Sequence, residues 1–190
     1  MTLTSLLVPT YRNMLRALLG MLDKAEAQLG TERADALLTA RLAPDMWPLA
    51  TQLRLAALQA EEAPLRLLGE PVSPRLDERL SEARNAGESP GTLAQARARI
   101  GEGLEFLDAL AADALDQAPP NAPMALALPT GMTFDLSREQ FARDWALGQF
   151  YFHLMAAYAI LRKEGIELGK ADYVPHMFAY LRPGTAPQPG

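Results

Sequence analysis

The sequence contains no cysteine and only two histidines among its 190 residues. Without cysteine the chain cannot form disulfides, zinc ribbons or iron–sulfur clusters, and it has no thiol nucleophile. Two histidines also exclude a tri-histidine metal site within one chain. Several metal-dependent and thiol-dependent functions are therefore excluded before any motif is considered.

Positive charge and long apolar runs are also scarce. Eighteen Lys and Arg against 23 Asp and Glu give a net charge of -5, which argues against nucleic acid or an anionic membrane as the main partner. The uncharged run 145–161 is shorter than the ~20 apolar residues that span a bilayer, and it contains Gln149 and His153. We expect it to form a helix buried inside a bundle. The first residues lack a cationic segment, so we expect a cytoplasmic protein.

The composition, 49% hydrophobic and 22% charged, is typical of one globular domain, which we assign to residues 1–180, with a flexible tail at 181–190. Apolar spacing predicts a first helix from Leu3 to Leu29 that Gly30 ends. A second helix is expected from about Met46, with Asp45 as its N-cap.

The second helix is expected to bend or end at Pro64, or to end by Gly69. We interpret 70–91 as a long loop with one or two helical turns around Leu76 to Ala86, because it is rich in Pro and Gly. A Thr92/Gln95 capping box predicts a third helix that runs to the Pro119-Pro120 stop.

Two glycines, Gly101 and Gly103, weaken the third helix unless a close contact between helices requires them. The period changes over 123–136, which predicts a β-hairpin. A fourth helix should then run from Ser137 to Gly165. The sequence therefore predicts an all-α, antiparallel four-helix bundle with a small β-hairpin before the last long helix.

Polar residues inside the predicted bundle are the candidate site. His153 lies one turn after Gln149 on the same helix face, and Gln52 on the second helix either reaches the same channel or lies on the helix surface. His153 is either a satisfied core histidine, a general base or a single metal ligand. Trp145 and Tyr158 belong to an aromatic-rich segment that forms either pocket walls or ordinary core.

Three further polar residues lie beyond the fourth helix. His176 is either an exposed loop histidine or a second ligand that closes over the pocket. Lys170 and Asp172 either tie this segment to the bundle by charge or line a site for an anionic substrate.

Several motifs resemble a bacterial domain-of-unknown-function family (DUF1993-like) of the DinB/YfiT-like superfamily. They are QFYFH at 149–153, AYAILR at 157–162, GIELGKADY at 165–173, and LAPDMWPL at 42–49 followed by Gln52. The resemblance implies a DinB/YfiT-like bundle with an up-down-down-up arrangement, commonly dimeric.

In better-known members of that superfamily, a His on the second helix and an HxxxH pair on a later helix hold a divalent metal, and activities include thiol-dependent transferases and isomerases. By this resemblance, the three ligand positions are Gln52, Gln149 and His153. Amides are poor ligands for zinc or nickel. We therefore expect a degraded metal site and no tightly bound Zn or Ni.

Three functions are consistent with these features. The first is a small-molecule-binding bundle whose polar-floored pocket is lined by Gln52, Gln149, His153, Tyr158 and Trp145. The second is a His-based or metal-dependent enzyme of the transferase or hydrolase type. The third is an interaction protein whose homodimer surface lies on the first and fourth helices.

Overall fold

The structure is a computed structural model that describes residues 1–70 and 73–185. Its helices and strands, in chain order, are α1 Leu3–Leu29, α2 Thr31–Ala36, α3 Leu49–Leu68, α4 Pro74–Asn85, α5 Leu93–Ala109, β1 Pro123–Ala127, β2 Thr133–Ser137, α6 Arg138–Gln140, α7 Leu147–Lys163 and α8 Lys170–Tyr173. Short 3-10 segments follow α2, α5 and α8, and a π-helical segment, Phe141–Ala146, joins α6 to α7.

The predicted first helix is confirmed. A capping box between Thr2 and Ser5 starts α1, which continues through Pro9. Gly30, at φ +78°, ends the helix at the predicted position. The apolar stripe of α1 is almost fully buried in the main core.

The predicted start of the second helix is wrong. The N-cap position of α3 is Pro48 and not Asp45. The residue before a proline is disfavoured in helical conformation, so Trp47 stays outside the helix and the helix begins after Pro48. The other end agrees with the prediction, because α3 passes through Pro64 and ends at Gly69, a left-handed cap at φ +74°.

The segment predicted as a long loop contains a twelve-residue helix, α4. Ser73 caps it by accepting from the Leu76 amide, and Pro74 occupies its first turn. A proline there starts a helix and does not break one, which the loop interpretation overlooked. Leu76 and Ala83 pack with Leu55 and Leu58 of α3 in a small separate core.

The third helix begins at the predicted capping box, in which Thr92 and Gln95 bond each other's backbone amides. It ends at Ala109, well before the predicted Pro119-Pro120 stop, because Leu110 is already extended at φ -70°, ψ 136°. The hairpin is confirmed and pairs β1 with β2 antiparallel.

The last long helical segment begins at the predicted capping box of Ser137 and Gln140. It ends at Lys163, shortly before Gly165, which has a φ of +87°. Only one side of α7 is buried in the bundle, since Phe152 and Met155 are exposed. The expectation that run 145–161 is buried therefore holds for one face. No helix in the described residues is both long and apolar enough to cross a membrane.

Side-chain contacts give the direction of each long helix. His153 meets Gln52 and Arg138 meets Leu67, so α7 runs antiparallel to α3. Arg12 bonds the Leu107 carbonyl while Arg97 pairs with Glu26, so α1 is antiparallel to α5. Since α3 and α5 run parallel, with Arg54 near Pro90 and Ala57 near Gly103, the bundle is arranged up, down, down, up.

The C-terminal segment is held to α1 by charge. Asp172 pairs with Lys24 at 2.7 Å and accepts from the Gly169 amide at 2.8 Å. Residues 181–185, the described part of the predicted tail, are exposed and have no regular helix or strand. The remainder of that tail, 186–190, lies outside the described residues.

Candidate functional site

The centre of the candidate site is a hydrogen bond between two buried polar side chains. Gln52, in the first turn of α3, contacts His153, in the middle of α7, with 2.9 Å between Oε1 and Nδ1. Because α3 and α7 pack antiparallel, two residues 101 positions apart meet across the helix interface. Both side chains are buried.

The hydrogen bonds around Gln52 define the tautomer of His153. The Gln52 amide nitrogen donates to the Trp47 carbonyl at 3.3 Å, which turns its oxygen toward the imidazole. An amide oxygen can only accept, so Nδ1 of His153 carries the proton and Nε2 of the neutral ring has a free lone pair. Nε2 has no hydrogen-bond partner in the described part of the chain, and it is not among the fully enclosed polar atoms that lack one.

Burial keeps the imidazole neutral. Desolvation lowers the pKa of His153 from 6.5 to about 4. The ring is therefore an uncharged hydrogen-bond acceptor at neutral pH, with its accepting atom at Nε2.

Two exposed aromatic rings flank this imidazole. Trp47 stacks near-parallel to it with centroids 6.3 Å apart, and Phe152 meets it edge-on at 5.3 Å. These side chains are 45% and 58% exposed. Sequence reasoning did not include them in the site, although Phe152 precedes His153 and Trp47 lies five residues before Gln52, inside the motif at 42–49.

The other predicted site residues lie elsewhere. Gln149 is half-buried one turn before His153, Trp145 packs against Phe134 of the hairpin, and Tyr158 meets Tyr173 edge-on. The structure thus brings together two of the five predicted lining residues.

The residues after the fourth helix are also separate from the imidazole. Asp172 ties the segment to α1 through Lys24, which is the structural role considered for it. Lys170 is exposed at the start of α8. His176 is half-buried in the 3-10 segment after α8.

Clefts also lie on the other side of α3. One of about 350 Å³ lies beside Arg54, Glu82 and Arg99. Its charged walls are already paired with one another: Glu82 accepts from Arg54 at 2.9 Å and from Arg99 at 2.8 Å. The imidazole of His153 is, by contrast, only 5% exposed and is bordered by the partly exposed rings of Trp47 and Phe152.

The three positions that the resemblance implies as metal ligands carry two amides and one imidazole, a poor donor set for zinc or nickel. The Gln52 oxygen is occupied by the proton on His153 Nδ1, and the third position, Gln149, adds another amide. The described residues include no group of three His, Cys, Asp or Glu side chains that could hold a metal ion.

Comparison with known proteins gives the family. A family model described as a domain of unknown function (DUF1993) matches residues 3–174. The chain belongs to the DUF1993 family. This DUF1993 protein is also similar to a DinB family member protein from Shewanella denitrificans, whose crystal structure was determined at 1.83 Å resolution: the two share 32% identity over 97% of this chain and 96% of that one, with a TM-score of 0.72. No curated protein matches the chain.

Proposed function

We propose that this DUF1993 protein binds a small organic molecule at His153 without a metal ion. The observation that carries the proposal is the buried Gln52–His153 hydrogen bond, which replaces a metal-ligand pair by a fixed neutral acceptor. The ligand class is a planar molecule with an N–H or O–H donor for Nε2 and an apolar face for Trp47 and Phe152.

The properties of His153 favour binding over acid–base catalysis. A general base works best when its pKa lies near the working pH, whereas burial holds the pKa of this imidazole at about 4. The ring is a weak base at neutral pH but remains a good hydrogen-bond acceptor. We therefore favour ligand binding over a His-based transferase or hydrolase activity.

Trp47 provides a direct readout of binding. The chain has two tryptophans, so Trp145→Phe leaves Trp47 as the single reporter next to His153. Indole and phenol are suitable donor probes, and N-methylindole and anisole are their respective donor-free counterparts. We expect saturable quenching of Trp47 by at least one donor probe and about 5- to 10-fold weaker binding of its counterpart, because one hydrogen bond contributes about 1–1.5 kcal/mol.

A histidine outside the site supplies the matched control. His153→Phe should abolish the difference between donor and donor-free probes, while His176→Phe should leave it unchanged. Equal binding of both probe classes to the wild-type protein would contradict the role of Nε2. Stoichiometric zinc or nickel in untagged protein, lost in His153→Phe, would contradict a metal-free site.

We propose in addition that the protein forms a homodimer. The resemblance to DinB/YfiT-like proteins implies one, and the exposed Phe152 and Met155 on α7 support it, because large apolar side chains grouped on one helix face are typical of an interface. Sedimentation velocity at micromolar concentrations tests the proposal, and a monomer at all concentrations would reject it.

A further inference from the structure

The outer face of α7 is a continuous stripe without acidic residues. Positions 148, 152, 155, 159 and 162 follow one another at alternating spacings of four and three, so they lie along one line of the helix. Phe152 and Met155, at its centre, are 58% and 44% exposed. The helix is uncharged from 145 to 161, and helices that are apolar on all sides are normally covered on all sides.

We propose that α7 of a second copy lies antiparallel on this stripe, across a two-fold axis level with positions 153 and 154, and closes the His153 site. The inference rests on the homodimer proposed above and adds its geometry and its consequence for the site. A two-fold axis requires that the same surface serve both copies.

The stripe is self-complementary when it is read in the opposite direction. Phe152 of one copy then faces Met155 of the other, and a ring edge against a thioether is a favourable contact. Gly148 faces Ala159, and these small residues allow the two backbones to approach. The space above Gly148 is open, since a Cβ built there meets no atom within 4 Å.

Charge favours the antiparallel orientation. Arg162 and Lys163 lie at the C-terminal end of α7, whereas the one acidic residue just before its N-terminal end, Asp144, is already paired with Arg143 at 2.7 Å. Antiparallel helices place Arg162 of one copy beside the Trp145 ring of the other, where a cation–π contact is possible. Parallel helices would instead place the two Arg162 side chains together, and like charges repel.

The second copy would change the environment of His153. Phe152 belongs both to the stripe and to the border of the imidazole, at 5.3 Å between ring centroids. Met155 of the second copy, packed on Phe152, covers that border with apolar atoms. The exposed ring of Phe152 at the border of the imidazole is thus covered in the dimer.

Sedimentation velocity with matched variants tests the surface. Met155→Glu should raise the dimer dissociation constant at least ~100-fold, because it places carboxylates at the two-fold axis. Met132→Glu, in the turn of the hairpin, is the control, since Met132 is 52% exposed and does not belong to the stripe. Phe152→Glu and Phe178→Glu form a second matched pair, at 58% and 54% exposure. The inference would be overturned if Met132→Glu weakened the dimer as much as Met155→Glu, or if Phe178→Glu weakened it as much as Phe152→Glu.

Single cysteines test the orientation, because the chain has none of its own. In an antiparallel pair the Gly148 residues of the two copies lie about 16 Å apart along the helix axis. Gly148 of one copy lies beside Ala159 of the other. Gly148→Cys and Ala159→Cys proteins should therefore form a disulfide when mixed and oxidised, and neither should cross-link alone.

The cross-links separate this inference from the proposals on which it depends. A dimer in which Gly148→Cys links to itself, or in which no link forms, would overturn the antiparallel pairing while the homodimer stands. A monomeric wild-type protein would overturn both. Closure of the site predicts at least ~10-fold weaker probe binding to monomeric Met155→Glu, and unchanged affinity would reject closure alone.

Discussion

Buried polar groups on the two sides of α3 are satisfied by different kinds of contact. Toward α7, Gln52 meets a neutral His153 through one hydrogen bond between uncharged groups. Toward α4 and α5, Arg54 and Glu61 belong to a continuous chain of ion pairs. One helix therefore carries a neutral polar contact and a charged one, and the difference shows what each contact can do.

The charged side joins three helices, each of which contributes one arginine and one glutamate. In order of contact, the chain is Glu61, Arg79, Glu102, Arg99, Glu82 and Arg54. Every charge in it has an opposite partner, so the chain is balanced and leaves no arginine unpaired for an anion. On the neutral side, His153 Nε2 accepts no hydrogen bond from the residues that the structure describes. Ligand recognition is therefore expected on the neutral side, and attachment of α4 on the charged side.

Removal of one charge from the buried part of the chain should have the largest effect on stability. Arg79→Ala leaves Glu61 buried without an ion partner, and such a loss costs about 3–5 kcal/mol. We expect a decrease of that size in the free energy of unfolding by urea at pH 7.

An exposed arginine of the same helix provides the control. Arg75 pairs with Glu102 at 3.8 Å, and its side chain is 62% exposed. Arg75→Ala should therefore cost less than about 1 kcal/mol. Glu61→Leu combined with Arg79→Leu should recover much of the loss, because it removes both buried charges. Similar losses for Arg79→Ala and Arg75→Ala would show that the buried chain contributes no more than the surface pair.

The neutral side should respond to pH in a different window. The pKa of His153 falls from 6.5 to about 4 on folding, so between these values the unfolded chain binds a proton that the folded one does not. The free energy of unfolding therefore has its full contribution from the neutral His153 above pH 6.5. It decreases as the pH falls toward 4, by up to about 3 kcal/mol. His153→Gln, which cannot titrate, should remove this part of the pH dependence in urea unfolding experiments.

The charged side should lose stability only at lower pH. Burial alone would raise the pKa of Glu82, but hydrogen bonds from Arg99 and Arg54 lower it below 4.5. Its contribution is present above pH 4.5 and is lost as the pH falls through the lowered value. Wild-type protein and His153→Gln should therefore decline in parallel below pH 4. A wild-type slope between pH 6.5 and 4 that persists in His153→Gln would assign the effect to other groups.

Local signals in the sequence were sufficient for most of the bundle. The capping boxes at Thr92 and Ser137 and the glycines at 30 and 69 define helix ends through contacts between residues a few positions apart. The start of α3 was missed because Pro48 restricts the residue before it more strongly than Asp45 favours a cap. The helix α4 was predicted only as one or two turns around Leu76 to Ala86, because its apolar face is narrow and is buried against Leu55 and Leu58 of α3.

Only part of the site was predicted, because its contacts join residues that are far apart in the sequence. Gln52 and His153 were placed on facing helices, but their hydrogen bond depends on the antiparallel packing of α3 and α7, which spacing alone does not specify. Trp47 joins the site because Pro48 holds it outside the helix and beside the imidazole. The ion-pair chain was not predicted, since it involves three helices and exposed-looking residues.

The smallest expected effect concerns the two glycines of α5 on the charged side of α3. A Cβ at Gly103 would lie 3.4 Å from the Ala57 carbonyl oxygen and 3.5 Å from Leu15, whereas at Gly101 it would meet nothing within 4 Å. Gly101→Ala should stabilise the protein by about 0.5–1 kcal/mol through helix propensity, a rise of about 2–4 °C in Tm. Gly103→Ala should gain less than half of that in thermal unfolding, because its methyl group presses on α3 next to Glu61. Equal gains in Tm from the two substitutions would mean that α3 and α5 tolerate a wider spacing on the charged side. The close approach of α5 that completes the ion-pair chain would then not depend on the absence of a side chain at position 103.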